Sequence, residues 1–194
     1  TEAYPIGTED YYPLWTKILA TEPDAVEMGA GNPPMYAGII KAGRELGFDG
    51  LIYSVSAIFL DVTKMILGPG FPHGDVFGLS LAVADTEISP MINEIRARAM
   101  ENYGMFLETQ VGGWAPLWFM VQAIEAAQSL DATEVVQTWE QMDTMETPFG
   151  TATMGGQDFL GLNHVVMMPY PLGRLENGEV KTIKLITPRF PKMP

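Results

Sequence analysis

The chain has 194 residues, of which 47% are hydrophobic, enough to bury a core in one domain or two small ones. Eleven Lys and Arg stand against 24 Asp and Glu, and the formal charge of −13 repels phosphate backbones and anionic headgroups, so nucleic acid and acidic membranes drop out as default partners. With no cysteine there is no disulfide, no thiolate nucleophile and no Cys-ligated metal, and no apolar run approaches the roughly 18 residues that cross a bilayer.

Thr1-Glu2-Ala3-Tyr4-Pro5 reads as the end of a strand already in progress. The expectation is a piece of a longer protein whose signal peptide, if it had one, is already gone. Thr8 or Asp10 caps a first helix with Leu14, Ile18 and Leu19 facing inward, and Pro23-Asp24 ends it. Ala25 to Gly29 is a short strand. Gly31-Asn32-Pro33-Pro34 then turns the chain and places proline in the first turn of a second helix, where it is tolerated. Ile39, Ile40, Gly43 and Leu46 form that helix's apolar stripe, and Gly47 closes it before the strand Leu51-Ile52-Tyr53.

Phe59, Val62 and Ile66 are spaced for one face of a third helix, stopped by Gly68-Pro69-Gly70-Phe71-Pro72, and Val76 to Leu81 reads as a buried strand. From about Ile88 long helices take over: Ser89 to Tyr103, Gly113 to Gln128 with Gly112-Gly113 as a loop turn ahead of it, and a short one opened by the capping box Asp131-Ala132-Thr133-Glu134. The end is a β region, with strands at Val165 to Met168 and Val180 to Ile186 and a turn signal at Glu176-Asn177-Gly178-Glu179. Alternating strands and helices in the first part predict an α/β fold with a doubly wound parallel sheet.

Catalytic signatures are missing. Tyr53-Ser54-Val55-Ser56-Ala57 lacks the glycines of a nucleophile elbow. His73 and His164 lie about 90 residues apart, outside any metal-ligand spacing, and read as a loop residue and a strand-end residue. The thirteen methionines are scattered and read as core filler, and the pair Asp85 and Glu87 reads as a solvated edge. Neither a cofactor, a metal nor an enzymatic activity is expected.

Several segments in order carry a resemblance. They are Pro5-x-Gly7-Thr8-x-Asp10-Tyr11-x-Pro13, Ile39 to Phe48, Tyr103-Gly104, Trp114-Ala115 with Ala123-Ile124-Glu125-Ala126-Ala127, and Thr147-Pro148-Phe149-Gly150 with the Glu176-Asn177-Gly178 hairpin. Together they resemble the C-terminal portion of type I periplasmic solute-binding proteins of the leucine/isoleucine/valine-binding kind, the extracellular receptors that feed ABC importers. The resemblance implies a two-lobed clamp. Residues 1–86 would form the main part of the second lobe, the helical segment 87–162 would belong to the first, and 163–194 would return to the second as a β-hairpin. It also implies a small-molecule solute, a membrane permease as partner, and a periplasmic location, or an extracellular, membrane-anchored one in a Gram-positive source. The apolar faces around Trp114 to Val121 would be covered by a dimer or by a complementary N-terminal fragment. The alternative on the same fold is a ligand-sensing regulator or receptor domain.

In open parallel sheets ligands bind beyond the carboxyl ends of the strands, here at Ala30 to Met35 and Tyr53 to Ala57, both leading into helix N-termini that favour an anion. Asn32, Pro33, Tyr53, Ser54 and Ser56 are the candidate ligand-binding residues, with helix capping as the competing role for Asn32 and the serines. The resembled family pairs a ligand ammonium with a carboxylate in the second of these loops, and Tyr53 to Ala57 has none. An unpaired buried charge costs about 3–5 kcal/mol, more than a hundredfold in affinity at about 1.4 kcal/mol per decade. The expected ligand is therefore a carboxylic or aromatic acid rather than an α-amino acid.

Overall fold

The structure is a computed structural model that describes residues 1–5, 7–79, 89–176 and 179–189. The expected strand residues Ser80 and Leu81, the Asp85/Glu87 pair and the turn at Asn177-Gly178 lie outside the described residues. The chain divides into two units, residues 1–84 with 171–184 and residues 85–170 with 185–194.

The first unit is a five-stranded sheet with helices. In chain order it runs α1 (Tyr12–Leu19), β1 (Ala25–Glu27), α2 (Pro33–Glu45), β2 (Leu51–Ala57), α3 (Leu60–Leu67) and β3 (Val76–Leu79), joined late in the chain by β7 (Tyr170–Glu176) and β8 (Glu179–Ile186). The order across the sheet is β1-β2-β3-β7-β8; β1, β2 and β3 are parallel, and β7 runs antiparallel to β3. The fold is thus α/β with a parallel-containing sheet, as expected. Register places Val26, Ile52, Val76 and Leu175 in one row across four strands, and all four are buried against Tyr36, Ile39 and Ile40 of α2. Strand alternation puts the next row, Glu27, Tyr53, Phe77 and Arg174, on the opposite face, where Arg174 stacks 5.1 Å over the Phe77 ring and pairs with Asp75 at 2.5 Å.

Local chemistry accounts for the ends of α2. Asn32 is its N-cap, accepting the Met35 N–H at 3.1 Å, and Pro33 sits at the first helical position, where its missing donor is harmless. At the far end Gly47 holds φ +86, a left-handed conformation that lets the chain turn directly toward β2.

Two expectations for this unit need correction. β2 does not stop at Tyr53 but runs to Ala57, so the segment expected to be a loop is strand. The third helix does not carry Phe59, Val62 and Ile66 on its inner face: Phe59 precedes the helix at φ +48, Ile66 is exposed, and the buried positions are Leu60 and Thr63. The reason is that Phe59 turns the chain before the helix starts and so rotates the apolar spacing by one position.

The second unit holds α4 (Pro90–Tyr103), α5 (Glu108–Ala127), α6 (Ala132–Gln141) and a small antiparallel sheet of β4 (Thr144–Thr147), β5 (Gly150–Gly155) and β6 (Val165–Met167), with the short α7 (Gln157–Leu160) before β6. Ser89 caps α4, Gly104 ends it in the left-handed region, and Asp131 caps α6 by accepting the Thr133 and Glu134 N–H groups at 2.9 and 3.2 Å. α5 begins five residues earlier than its apolar pattern indicates. Gly112-Gly113 is therefore helix rather than turn, because the Gln110 side chain accepts the Leu107 N–H and Val111 and Ala115 are buried, which holds the glycines in place.

Gln122 ties α5 to the small sheet. Its Oε1 accepts the Glu146 N–H at 2.8 Å and its Nε2 donates to the Glu146 carbonyl at 2.9 Å, so one side chain takes the place of a strand partner on the outer side of β4. Gln122→Ala is expected to cost about 1 kcal/mol, the usual net worth of such bonds, and to speed hydrogen exchange at the Glu146 amide.

Candidate functional site

Beyond Glu27 the regular pairing of β1 with β2 ends, and side chains bond the backbone groups at their carboxyl ends. The Met28 N–H still donates to the Tyr53 carbonyl at 2.9 Å, continuing the ladder by one step. The next β2 donor, the Val55 N–H, turns instead to Glu27 Oε1 at 3.4 Å, and Glu27 Oε2 accepts the Gly29 N–H at 2.9 Å. Ser54 Oγ donates to the Gly29 carbonyl at 3.0 Å. Backbone groups that strand pairing would have satisfied are thus satisfied by Glu27 and Ser54.

At the centre lies the Tyr36 hydroxyl on a side chain that is 0% exposed. It accepts the Gly31 N–H at 2.8 Å, sits 2.8 Å from Ser56 Oγ and 3.4 Å from the Gly29 carbonyl. Ser54 Oγ lies 2.9 Å from Ser56 Oγ and accepts the Ser56 N–H at 3.1 Å. Ser54 is buried, while Ser56 is half-exposed. Nearby, Tyr4 donates to the Met28 carbonyl at 3.0 Å; burial first, then the proximity of Tyr11, Tyr36 and Glu27, pushes its phenol above the ordinary value, so it stays a neutral donor.

Of the five expected residues, Ser54 and Ser56 come together, on the face of β2 that looks toward α2. Asn32 and Pro33 stand at the start of α2, next to Gly31. Tyr53 goes elsewhere: it lies on the opposite face of the strand, in the row with Glu27 and Phe77. The serines cap no helix, whereas Asn32 does.

The helix starts hold fewer donors than a generic helix N-terminus. Pro33 and Pro34 have no N–H, the Met35 N–H is taken by Asn32 Oδ1, and the Tyr36 N–H by the Asn32 carbonyl at 3.0 Å. At α3 the Val62 N–H is held by the Asp61 carboxylate at 2.8 Å, which also places a negative charge in the first turn. An acidic ligand at this end would find the Met35, Tyr36 and Val62 N–H groups already taken.

Two residues here escape sequence reasoning. Tyr36, at helical spacing among apolar neighbours, carries the signature of a core residue. Glu27 carries one weak signal, a charge at the last position of an otherwise apolar strand. Two cavities of this unit, about 660 Å³ at the loop of residues 68–75 and about 570 Å³ beside β1, have none of Tyr53, Ser54 or Ser56 in their walls.

This architecture, parallel strands whose carboxyl ends carry a small polar cluster, defines an open-sheet α/β lobe. The family model for periplasmic binding proteins matches residues 1–179, and the chain belongs to that family. Among solved structures it is similar to a leucine binding protein of Thermotoga maritima (TM-score 0.75, 18% identity, 95% of this chain and 51% of that one). It is also similar to the branched-chain amino acid transporter substrate binding protein of Streptococcus pneumoniae in complex with isoleucine (0.76, 13%, 95% and 51%). A third is an ABC transporter solute binding protein of R. palustris in complex with benzoate (0.71, 14%, 95% and 49%). At these identities the likeness is one of fold, and the chain spans about half the length of the structures it matches. No curated relative matches it in sequence. Among the described residues no helix is long and apolar enough to cross a membrane.

Proposed function

We propose that the chain supplies much of the ligand-gripping machinery of a periplasmic solute-binding protein that delivers a small organic molecule to the permease of an ABC importer, without catalysing a reaction on it. The observation that carries this reading is the Tyr36–Ser54–Ser56 cluster at the carboxyl ends of parallel strands β1 and β2, in a chain of this family. In the proposed clamp, residues 1–84 with 171–184 belong to the second lobe and 85–170 to the first, and closure of the lobes about a hinge traps the solute. The exposed Leu117, Met120 and Val121 of α5 support a covering partner for that helix, in the form of further first-lobe structure or a second copy.

The solute proposed is a carboxylic or aromatic acid. Ser54 and Ser56 offer hydroxyls and no negative charge on β2, and among the described residues the carboxylate seen to reach β2 here, Glu27, is already accepting two backbone N–H groups. Calorimetric titration of the two-lobed protein with benzoate, 4-hydroxybenzoate, aliphatic acids, leucine and isoleucine tests this. The acids are expected to bind more tightly, and Ser56→Ala to weaken them about tenfold, the worth of one hydrogen bond to a charged group. Tight leucine binding with weak or absent acid binding would refute the choice of solute, and turnover of any of these compounds would refute the passive role.

A further inference from the structure

We infer that Tyr36 is a positioning residue that donates to Ser56 from behind and leaves the Ser56 proton free to bond an acceptor group of the solute, such as a carboxylate or carbonyl. The inference rests on the site proposed above and follows from counting protons. Three hydroxyls, those of Tyr36, Ser54 and Ser56, share a cluster with two backbone donors and one carbonyl, and the backbone groups can act in only one sense.

The Gly31 N–H must donate, so Tyr36 Oη accepts it at 2.8 Å. The Ser56 N–H must donate, so Ser54 Oγ accepts it at 3.1 Å. The Gly29 carbonyl must accept, and the shorter of its two hydroxyl contacts is Ser54 Oγ, 3.0 Å against 3.4 Å for Tyr36. With Ser54's proton placed there, the better acceptor for the Tyr36 proton is Ser56 Oγ at 2.8 Å. Ser56 Oγ therefore receives a hydrogen bond from behind, and its own proton is the one left with a choice. It can turn to Ser54 Oγ at 2.9 Å, which already holds the Ser56 N–H, or outward to a ligand.

Turning outward strands nothing, because Ser54 keeps its other donor. An ammonium would instead need the second lone pair of Ser56 Oγ, with the Ser56 proton turned inward to Ser54 Oγ. Tyr36 is wholly buried and Ser54 nearly so, which puts the orienting part of the chain out of reach of water, while half-exposed Ser56 stands at its outer end.

The test has a ligand-free arm and a binding arm. In the unliganded protein, NMR in water at low temperature is expected to show a slowly exchanging Tyr36 hydroxyl proton whose resonance shifts on Ser56→Ala. A Tyr36 hydroxyl signal indifferent to Ser56→Ala places that proton on Gly29 and overturns the proton order.

In the binding arm, benzoate affinity is measured for the two-lobed protein and for the Tyr36→Phe, Ser56→Ala and double variants. Tyr36→Phe is expected to weaken benzoate about fivefold when Ser56 is present and less than about twofold when it is alanine, since Tyr36 acts through Ser56. Equal losses in both backgrounds would mean that Tyr36 only supports the fold, and would overturn the inference. Wild-type protein that binds no benzoate, or binds it as well after Ser56→Ala, overturns the donation by Ser56 to the solute and counts against the proposed site; the ligand-free arm then decides separately whether the proton order itself is right.

Discussion

Trp15→Ala is expected to remove about 4 kcal/mol of stability from the first unit, the largest loss of any single substitution considered. Trp15 is 0% exposed, its indole Nε1 donates to the Ile39 carbonyl at 2.7 Å, and its ring lies 5.0 Å from that of Phe48. α1 thereby plugs into α2 at the point where α2 has no side chain: a Cβ on Gly43 would stand 2.4 Å from the indole ring. The two residues are complementary, so the cavity left by alanine has backbone for a wall and little freedom to collapse. The same geometry sets the sign for Gly43→Ala, where a gain of about 1 kcal/mol in helix propensity is outweighed by the overlap with the indole. Thermal denaturation followed by circular dichroism, with hydrogen exchange to assign the loss to α1 and α2, checks both. A Trp15→Ala protein within 1 kcal/mol of the parent would show that α1 contributes little to this core.

Arg44→Ala is expected to cost about 3 kcal/mol, by a different route. The guanidinium is tied to four backbone carbonyls: Nε to His73 at 2.7 Å, Nη1 to Phe48 at 2.6 Å and Gly50 at 2.8 Å, and Nη2 to Asp75 at 3.1 Å. One side chain on α2 thus pins the segments that enter β2 and β3. Desolvation lowers its pKa, against the upward pull of Asp75 and Asp49, yet an arginine remains charged across the working range. Alanine leaves four carbonyls to find water in a half-buried corner, and lysine, a single nitrogen on a flexible stem, reaches only part of the set; Arg44→Lys is expected to keep less than half of the contribution. Faster amide exchange at residues 48–52 and 75–77 would locate the damage. The exposed pair Arg98–Glu94, one turn apart on α4, offers the contrast: its 2.6 Å contact is in water on both sides, and breaking it is expected to change stability by less than about 0.5 kcal/mol.

Much of this fold is legible in the sequence because its ends are marked by residues with one good conformational use. Asn32-Pro33 opens α2 and Gly47 closes it, Ser89 opens α4 and Gly104 closes it, and Asp131 opens α6. Legibility fails where tertiary contacts overrule such marks. Gly112-Gly113 looks like a break but is carried through α5 by buried neighbours, and Phe59 takes a left-handed conformation that nothing in its side chain announces. The strands β4, β5 and β7 go unread for another reason: Thr144–Thr147 and Gly150–Gly155 are short and threonine- and glycine-rich, and Tyr170–Glu176 includes a proline and a glycine. At the site, Ser54 and Ser56 are visible as alternate polar residues where an apolar strand ends. Tyr36 is not, because only the fold can say whether a buried tyrosine's hydroxyl has company.

An outer strand is a standing template for any extended chain that drifts past, and β4 is such a strand. By closing both outward backbone groups of Glu146, the amide of Gln122 denies that template its central rung. An outer strand needs this kind of deterrent, and here a single uncharged side chain provides it from within the molecule.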